Sequence, residues 1–266
     1  MYSNIEAIDF GRLFTEQKEA ATHKKKDKDS WDKKAADMNK KIHSGYYNDF
    51  IEENISLNQE DTLLDVGCGP GTFSLRFAPL VKSVSAFDFS TKMLEALEEN
   101  AKKASITNIT SFVHDMESSW DDLPVCDVVL ASRCLEVDDI SKVLIELDSH
   151  AKKAVYLTYK VGKSYLHEEV LDAIGRDITP KPDYIYLVNV LYKMGIYAEV
   201  KLIEPKESAC VVVENEQEYV QSISWSLDGI SDEETQKAKD FYNKCIKDCK
   251  KPPLRDSRWA FISWKK

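Results

Sequence analysis

The chain has 266 residues, of which 43% are hydrophobic, and it carries a formal net charge of −10 with a pI near 5.1. This length suffices for one domain with a sizeable core and a cap, and the acidic balance argues against nucleic acid as a partner. No stretch approaches the roughly 18 apolar residues of a membrane span, and the first residues lack the apolar centre of a secretory signal, so we expect a soluble, cytoplasmic protein with no membrane partner.

Helical patterns predominate before residue 56. The basic run at residues 23–29 is interspersed with acids, which is typical of a solvated segment. Ser30 is suited to cap a helix whose apolar positions include Trp31 and Ile42, and a second helical pattern covers residues 46–51. We expect residues 1–55 to form a helical lid and residues 56–266 to form the main domain.

The most informative stretch is Leu64-Asp65-Val66-Gly67-Cys68-Gly69-Pro70-Gly71-Thr72, which reads as a buried strand followed by a glycine turn. Three alternate glycines allow a sharp turn and let a ligand approach the backbone closely. A dinucleotide fingerprint would need a third glycine where Thr72 stands, and Pro70 removes an amide that a pyrophosphate would use. The stretch therefore indicates an adenosine-type cofactor without a phosphate pocket, the alternative being a turn that only connects strand to helix.

The next strand, residues 84–90, also ends in an acid. Asp88 follows Asp65 by 23 residues, which suits a carboxylate that accepts hydrogen bonds from ribose hydroxyls. Ser90 is placed to cap a helix with an apolar face that includes Met93. A third short strand is predicted at residues 110–116. A nearly uninterrupted apolar run at residues 126–132 indicates a central parallel strand buried on both faces.

This D-x-G-x-G-x-G turn resembles the first motif of the class I S-adenosylmethionine-dependent methyltransferases, and the small-molecule, UbiE-like group is the most similar subgroup. The resemblance implies S-adenosylmethionine as cofactor, held by the turn residues and by side chains of the following strands. The residues so implied are Asp65, Gly67, Cys68, Gly69, Gly71, Asp88, Phe89, Met93, Asp115, Met116, Ser132 and Lys34.

Within that set the resemblance implies distinct roles. Phe89 and Met93 would wall the adenine pocket, Asp115 would accept from the adenine amino group, and the Met116 amide would donate to the ring. Lys34, on the first predicted helix, would meet the carboxylate of the cofactor. Purely structural alternatives stay open: core packing for Met93, a solvated loop acid or a helix cap for Asp115, and a surface position for Lys34.

The second half of the chain continues the alternation of strands and helices. Helices are predicted at residues 140–151 and 184–194, strands at 154–159, 198–203 and 259–264, and substrate-side insertions at 161–182 and 216–250. The βα order predicts a doubly wound α/β fold. With the family resemblance, we expect a mostly parallel seven-stranded sheet with an antiparallel last strand and helical cap elements.

The function implied is in-line transfer of a methyl group to a small-molecule acceptor. The N-P-P-Y type motif of nucleic-acid amino methylation is missing, and Ala131-Ser132-Arg133-Cys134 stands in its place. Ser132 and Arg133 are expected to border the methyl-transfer site. Arg133 is one of five possible acceptor-side groups, the others being Tyr46, Tyr47, Tyr159 and His167; no catalytic base and no metal site are predicted.

Two other functions stay open. One is a catalytically inactive S-adenosylmethionine-binding regulatory or interaction protein. The other is a thiol-dependent metalloid methyltransferase, which would need several of the six cysteines, at positions 68, 126, 134, 210, 245 and 249, to converge on one pocket. The spacing of Cys245 and Cys249 does not match a zinc site. Neither the acceptor nor the oligomeric state can be read from these residues.

Overall fold

The computed structural model describes residues 4–22, 25–204, 213, 215–255 and 258–266. Cys210, and His23 and Lys24 of the basic run, lie outside the described residues. The described strands are β1 (Thr62–Val66), β2 (Ser83–Asp88), β3 (Ile109–Val113), β4 (Cys126–Ser132), β5 (Ala151–Lys160), β6 (Glu199–Ile203) and β7 (Trp259–Lys265).

Ten helices accompany these strands in the described part of the chain, together with short 3-10 turns at Ile5–Ala7 and Ala78–Leu80. They are α1 (Phe10–Ala20), α2 (Lys28–Lys41), α3 (Tyr46–Asn54), α4 (Thr72–Phe77), α5 (Thr91–Lys103), α6 (Ile140–Ser149), α7 (Glu168–Ile174), α8 (Tyr184–Lys193), α9 (Glu216–Ser226) and α10 (Asp232–Lys247). None of the described helices has the length and apolarity that crossing a bilayer requires.

The strands form one sheet in the order β3-β2-β1-β4-β5-β7-β6. β1 to β5 pair in parallel, and β7 runs antiparallel to both of its neighbours, β5 and β6. This confirms the predicted doubly wound, mostly parallel sheet with an antiparallel last strand. The order reverses between β1 and β4, and that reversal is the place where open α/β sheets bind ligands, beyond the carboxyl ends of their strands.

Both faces of the sheet are buried, as the apolar strands predicted. On β1, Leu64 belongs to the core cluster that also contains Val66 and Phe87, while its neighbour Leu63 belongs to the cluster on the opposite face. Alternate side chains of a strand point to opposite faces, so a strand that is apolar throughout has to be covered on both sides.

The predicted insertions come together in a small separate core. Val170 and Ile174 of α7 pack with Tyr219 and Ile223 of α9 and with Ala238 of α10. The insertions at residues 161–182 and 216–250 therefore form one helical layer, although a long stretch of chain separates them.

The start of α2 differs from the prediction. Asp27, not Ser30, is the N-cap residue, because its side chain accepts a hydrogen bond from the Ser30 backbone N–H and the helix already begins at Lys28. Both Asp and Ser are favoured N-cap residues, so the sequence pattern alone was compatible with a helix that starts after either residue. The prediction for α5 is confirmed, since the Ser90 side chain accepts from the Met93 N–H.

Candidate functional site

Two of the three glycines in the turn after β1 face a cavity. Gly67 and Gly69 have φ values of +60° and +55°, which favour glycine. A Cβ at Gly67 would lie 2.5 Å from Cys134 Cβ, so the turn leaves no room for a side chain there. A Cβ at Gly69 would meet nothing within 4 Å, and the backbone at Gly69 is open on its cavity side.

The third glycine of the turn has a different role. Gly71 has φ +86°, and a Cβ there would lie 2.8 Å from Leu97 Cγ of α5. The residue does not line the cavity formed by the described residues. Its missing side chain lets α4 start in close contact with α5.

Asp88, at the end of β2, is tied to the glycine turn. Its Oδ2 accepts a 2.9 Å hydrogen bond from the Gly69 N–H, and its Oδ1 accepts one of the same length from the Ser90 N–H. The residue is 7% exposed, and burial raises the pKa of its carboxyl above the usual range. The backbone bonds thus fix the orientation of a carboxylate on the cavity wall.

Asp65 lies at the end of the neighbouring strand β1. It is 2% exposed, and its Oδ2 accepts a 2.5 Å hydrogen bond from the Ser74 hydroxyl of α4. Burial raises the pKa of Asp65 to about 7, the Ser74 bond lowers it in part, and the charge of Asp88 raises it further. The parallel register places both acids at one edge of the sheet, since Asp65 pairs with Ala86 on β2.

One cavity collects most of the residues that the sequence predicted to bind the cofactor. The predicted residues on its wall are Asp65, Gly67, Cys68, Gly69, Asp88, Phe89, Met93, Asp115, Met116 and Ser132. They lie at the carboxyl ends of β1, β2 and β4 or in the segments that follow β1, β2 and β3, and these strand ends meet at one edge of the sheet. Side chains distant in sequence thus share one wall because the strands between them are parallel.

The wall beyond β3 combines ring and carboxylate groups. The His114 ring packs edge-on against Phe87 with centroids 5.2 Å apart, and burial lowers the pKa of His114. Its buried Nε2 makes no hydrogen bond with the described residues. Asp115 Oδ1 accepts from the Glu117 N–H at 3.0 Å, and the carbonyl of Met116 accepts from Trp120 Nε1 at 2.9 Å. These bonds hold the loop after β3 in place against the cavity.

The roof of the cavity comes from the N-terminal segment. Lys25, Lys26, Trp31, Met38 and Ile42 line it from α2 and its flanks. Asp32 of α2 accepts from the Ser90 hydroxyl at 2.6 Å and from the Lys92 N–H at 3.2 Å, which ties this roof to the start of α5. The helical period of α2 indicated an apolar face, but nothing local in the sequence indicated what that face would cover.

Lys34 lies elsewhere on the same helix. Its ammonium pairs with Asp37 and lies 5.5 Å from the ring centroid of Trp225. It is absent from the cavity wall, so the structure does not bring this lysine together with the other residues predicted to bind the cofactor. The helix turns by about 100° per residue, and position 34 faces α9 rather than the cavity.

Of the five acceptor-side candidates, only Arg133 lines the cavity. Tyr47 lies behind it, with its hydroxyl 2.7 Å from Ser132 Oγ and 2.6 Å from Thr158 Oγ1. The other three lie away from the cavity: Tyr46 packs on Phe50, Tyr159 packs on Phe14, and His167 caps α7. Sequence reasoning did not identify Glu136 and Glu117, which also line the wall.

Two of the five cysteines that the structure describes share a pocket. Cys68 and Cys134 line the cavity, and burial raises the pKa of both thiols well above the usual value, with Asp65 and Asp88 adding to the effect. Cys245 and Cys249, at the end of α10, are not on that wall. The described residues contain no group of three His, Cys, Asp or Glu residues suited to a metal ion. This arrangement gives the thiol-dependent alternative no support.

Comparison with known proteins agrees with this geometry. Residues 63–154 match the family model described as a methyltransferase domain. An uncharacterized protein of Haemophilus influenzae is 36% identical over 261 residues, which cover 97% of this chain and 96% of that protein.

Two solved structures share the fold. A putative methyltransferase of Bacillus halodurans superposes with a TM-score of 0.56 at 15% identity, over 84% of this chain and 99% of that one. Phosphoethanolamine N-methyltransferase 2 of Haemonchus contortus was solved with phosphomonomethylethanolamine and S-adenosylhomocysteine. It superposes with a TM-score of 0.54 at 20% identity, over 83% of this chain and 52% of that one.

The family model covers β1 through the start of β5, which includes the glycine turn, both strand-end acids and the strand that carries Ser132. The matched segment therefore contains the elements that build most of the cavity wall. On these grounds residues 63–154 form a methyltransferase domain, and the chain has the fold of the solved methyltransferases.

Proposed function

We propose that this methyltransferase acts on a small-molecule acceptor, which binds in the cavity between α2 and the carboxyl edge of the sheet. The cavity supports this, because the roof residues Trp31, Met38 and Ile42 limit access from the side of α2. The net charge of −10 disfavours a phosphate backbone as the partner. The Haemonchus contortus neighbour was solved with a small phosphorylated amine, which is consistent with an acceptor of that size.

The residues present fit an adenosyl cofactor. Asp88 offers a fixed carboxylate for the two ribose hydroxyls, and the open backbone at Gly69 leaves space beside it. Phe89 and Met93 would contact the adenine, and Asp115 would accept from its amino group. Asp65, at the neighbouring strand end, would receive the charged amino group of the methionine portion.

A methyl group bound to a positively charged sulfur is already activated for displacement. The protein then has to align the acceptor atom with that methyl group and exclude water. Two groups beside Ser132 are protonated at neutral pH, because burial raises the pKa of the Tyr47 phenol and of the Cys134 thiol. We infer that alignment of the acceptor with the methyl group supplies most of the rate.

The observation that carries the proposal is the Asp88 carboxylate, held by two backbone N–H groups on the cavity wall. Its substitution by alanine should weaken S-adenosylmethionine binding by roughly 1.5–3 kcal/mol, which is the usual value of hydrogen bonds to a charged group. Isothermal titration calorimetry measures this effect, with Asp122→Ala as a control because Asp122 is an exposed acid outside the cavity wall.

Transfer itself is tested by incubating the chain with S-adenosylmethionine and a panel of small amines, phenols, thiols and carboxylates. We expect acceptor-dependent release of S-adenosylhomocysteine, and we expect Asp88→Ala to reduce it while Asp122→Ala does not. Unchanged affinity in Asp88→Ala would refute the cofactor assignment of this residue. Release of S-adenosylhomocysteine in the presence of RNA substrates, but with no small molecule of the panel, would refute the proposed acceptor class.

A further inference from the structure

The cavity wall next to Ser132 carries an arginine with unusual surroundings. The Arg133 guanidinium lies over the Tyr47 ring, with its central carbon 4.2 Å from the ring centroid, and 5.8 Å from that of Trp259. Arg133 is exposed and lines the cavity. Stacking on a ring uses the flat face of the guanidinium and leaves the N–H groups at its edge available.

The backbone at this position is also specialised. Arg133 has φ +56°, which non-glycine residues adopt uncommonly. Its N–H donates a 3.0 Å hydrogen bond to Thr158 Oγ1, and the same hydroxyl is 2.6 Å from the Tyr47 hydroxyl. Thr158 therefore holds both the strained backbone and the ring on which the guanidinium stacks. Such strain is sustained only where surrounding contacts enforce it, and it is concentrated at functional sites.

Charge pairing distinguishes Arg133 from the other basic side chains of the cavity. Lys25 pairs with Glu117, and Lys26 pairs with Asp228. Arg133 forms no ion pair with the residues that the structure describes, and its guanidinium donates no hydrogen bond to them. It is thus the cation whose charge is left for a ligand.

The nearby carboxylate on the wall is already compensated. Glu136 accepts from the Tyr165 hydroxyl at 2.8 Å and pairs with the Lys181 ammonium at 2.7 Å. Arg255 donates to Ser222 Oγ at 2.8 Å, and burial lowers its pKa, with the charge of Arg133 adding to the effect. The positive charge of Arg133 is therefore not compensated by Glu136, although the whole chain is acidic.

We propose that the methyl acceptor carries an anionic group, a carboxylate or a phosphate, and that Arg133 binds it. This inference rests on the proposed function, because it assigns the chemistry of the acceptor in that same cavity. A planar fork of N–H donors matches carboxylate and phosphate oxygens in pairs, and the stacking on Tyr47 holds the fork in position before the anion arrives. Arg133 directly follows Ser132 at the end of β4, so the bound anion places the acceptor against the cofactor edge of the cavity.

The test uses the full chain saturated with S-adenosylhomocysteine and titrated by calorimetry with inorganic phosphate in one arm and succinate in the other. We expect the wild type to bind at least one anion, and Arg133→Gln to bind it about tenfold more weakly or worse. Arg133→Lys should recover part of the affinity because it keeps the charge but not the fork. Arg12→Gln is the matched control, since Arg12 lies on the exposed face of α1 and pairs with Glu16.

A second pair of titrations separates this role from binding of the cofactor's own carboxylate. Arg133→Gln should leave the affinities for S-adenosylhomocysteine and for 5′-methylthioadenosine, which lacks the amino-acid portion, unchanged. A loss of affinity for the first compound alone would overturn the inference and assign Arg133 to the cofactor. Failure of the saturated wild type to bind either anion would also overturn it, while the proposed function would stand. A wild type that binds no S-adenosylhomocysteine would refute both.

Discussion

Asp65 provides the sharpest test of the energetics of this site. The carboxyl is buried at the end of β1, and its pKa in the folded chain is about 7, against 3.8 for an ordinary aspartate. Between those two values the folded chain binds a proton that the unfolded chain has released. Folding stability therefore falls as the pH rises through this interval, because the unfolded chain is increasingly favoured by ionising this carboxyl while the folded chain keeps it protonated.

Each pH unit in that window corresponds to about 1.36 kcal/mol, so the full interval of about three units amounts to roughly 4 kcal/mol. Asp65→Asn removes the charge but keeps an oxygen that can accept the hydrogen bond from Ser74. We expect the variant to match the wild type near pH 4 and to become progressively more stable than the wild type up to about pH 7. Above that pH the difference should stay constant at a few kcal/mol.

Urea unfolding of both chains between pH 4 and pH 8.5, followed by circular dichroism, measures this difference. The exposed Asp122→Asn serves as the control and should show no pH-dependent gain. We also expect Asp65→Asn to bind S-adenosylmethionine more weakly, because the proposed partner of the cofactor amino group is then neutral. A variant that is less stable than the wild type at pH 8, or a difference that does not change with pH, would refute the reasoning.

Two further predictions concern packing and pH. Gly71→Ala should destabilise the fold by about 1–3 kcal/mol more than Gly195→Ala in urea unfolding. Both glycines have similar positive φ, but only at Gly71 would the new Cβ lie 2.8 Å from Leu97. Equal losses of stability in the two variants would contradict this packing role. Arg176 holds Glu234 by two hydrogen bonds of 2.5 and 2.6 Å, which lower the pKa of Glu234 to about 2. The stability that this pair contributes is present above about pH 4.5 and is lost as the pH falls toward 2. The Tm of the wild type should therefore exceed that of Glu234→Gln by less at pH 3 than at pH 6. A Tm difference that does not vary with pH would argue against this role of the pair.

The residues of the glycine turn and the strand-end acids could be predicted because their information is local. Asp65 and Asp88 each follow an apolar strand, and parallel strands that pair in register bring such ends together. Ser90 was predictable as a helix cap for the same reason, since a cap acts on backbone groups two or three residues away.

Other features of the site depended on long-range packing. The helical period of α2 predicted an apolar face, but only the docking of α2 on α5 placed Trp31 in the roof and turned Lys34 toward α9. Glu136 and Arg133 are three residues apart, yet their charges differ in effect because Lys181 compensates one and no described residue compensates the other.

The amino-acid sequence by itself determined the order of strands and helices, the cofactor turn and the family, because hydrophobic period, glycine spacing and capping act over a few residues. Only the tertiary structure decided which rings surround Arg133 at the cavity wall. Tyr47 comes from α3, Arg133 follows β4, and Trp259 begins β7. Their contact requires that β7 insert beside β5 and that α3 pack on the sheet, and such contacts between distant segments leave no pattern in any one stretch of the chain.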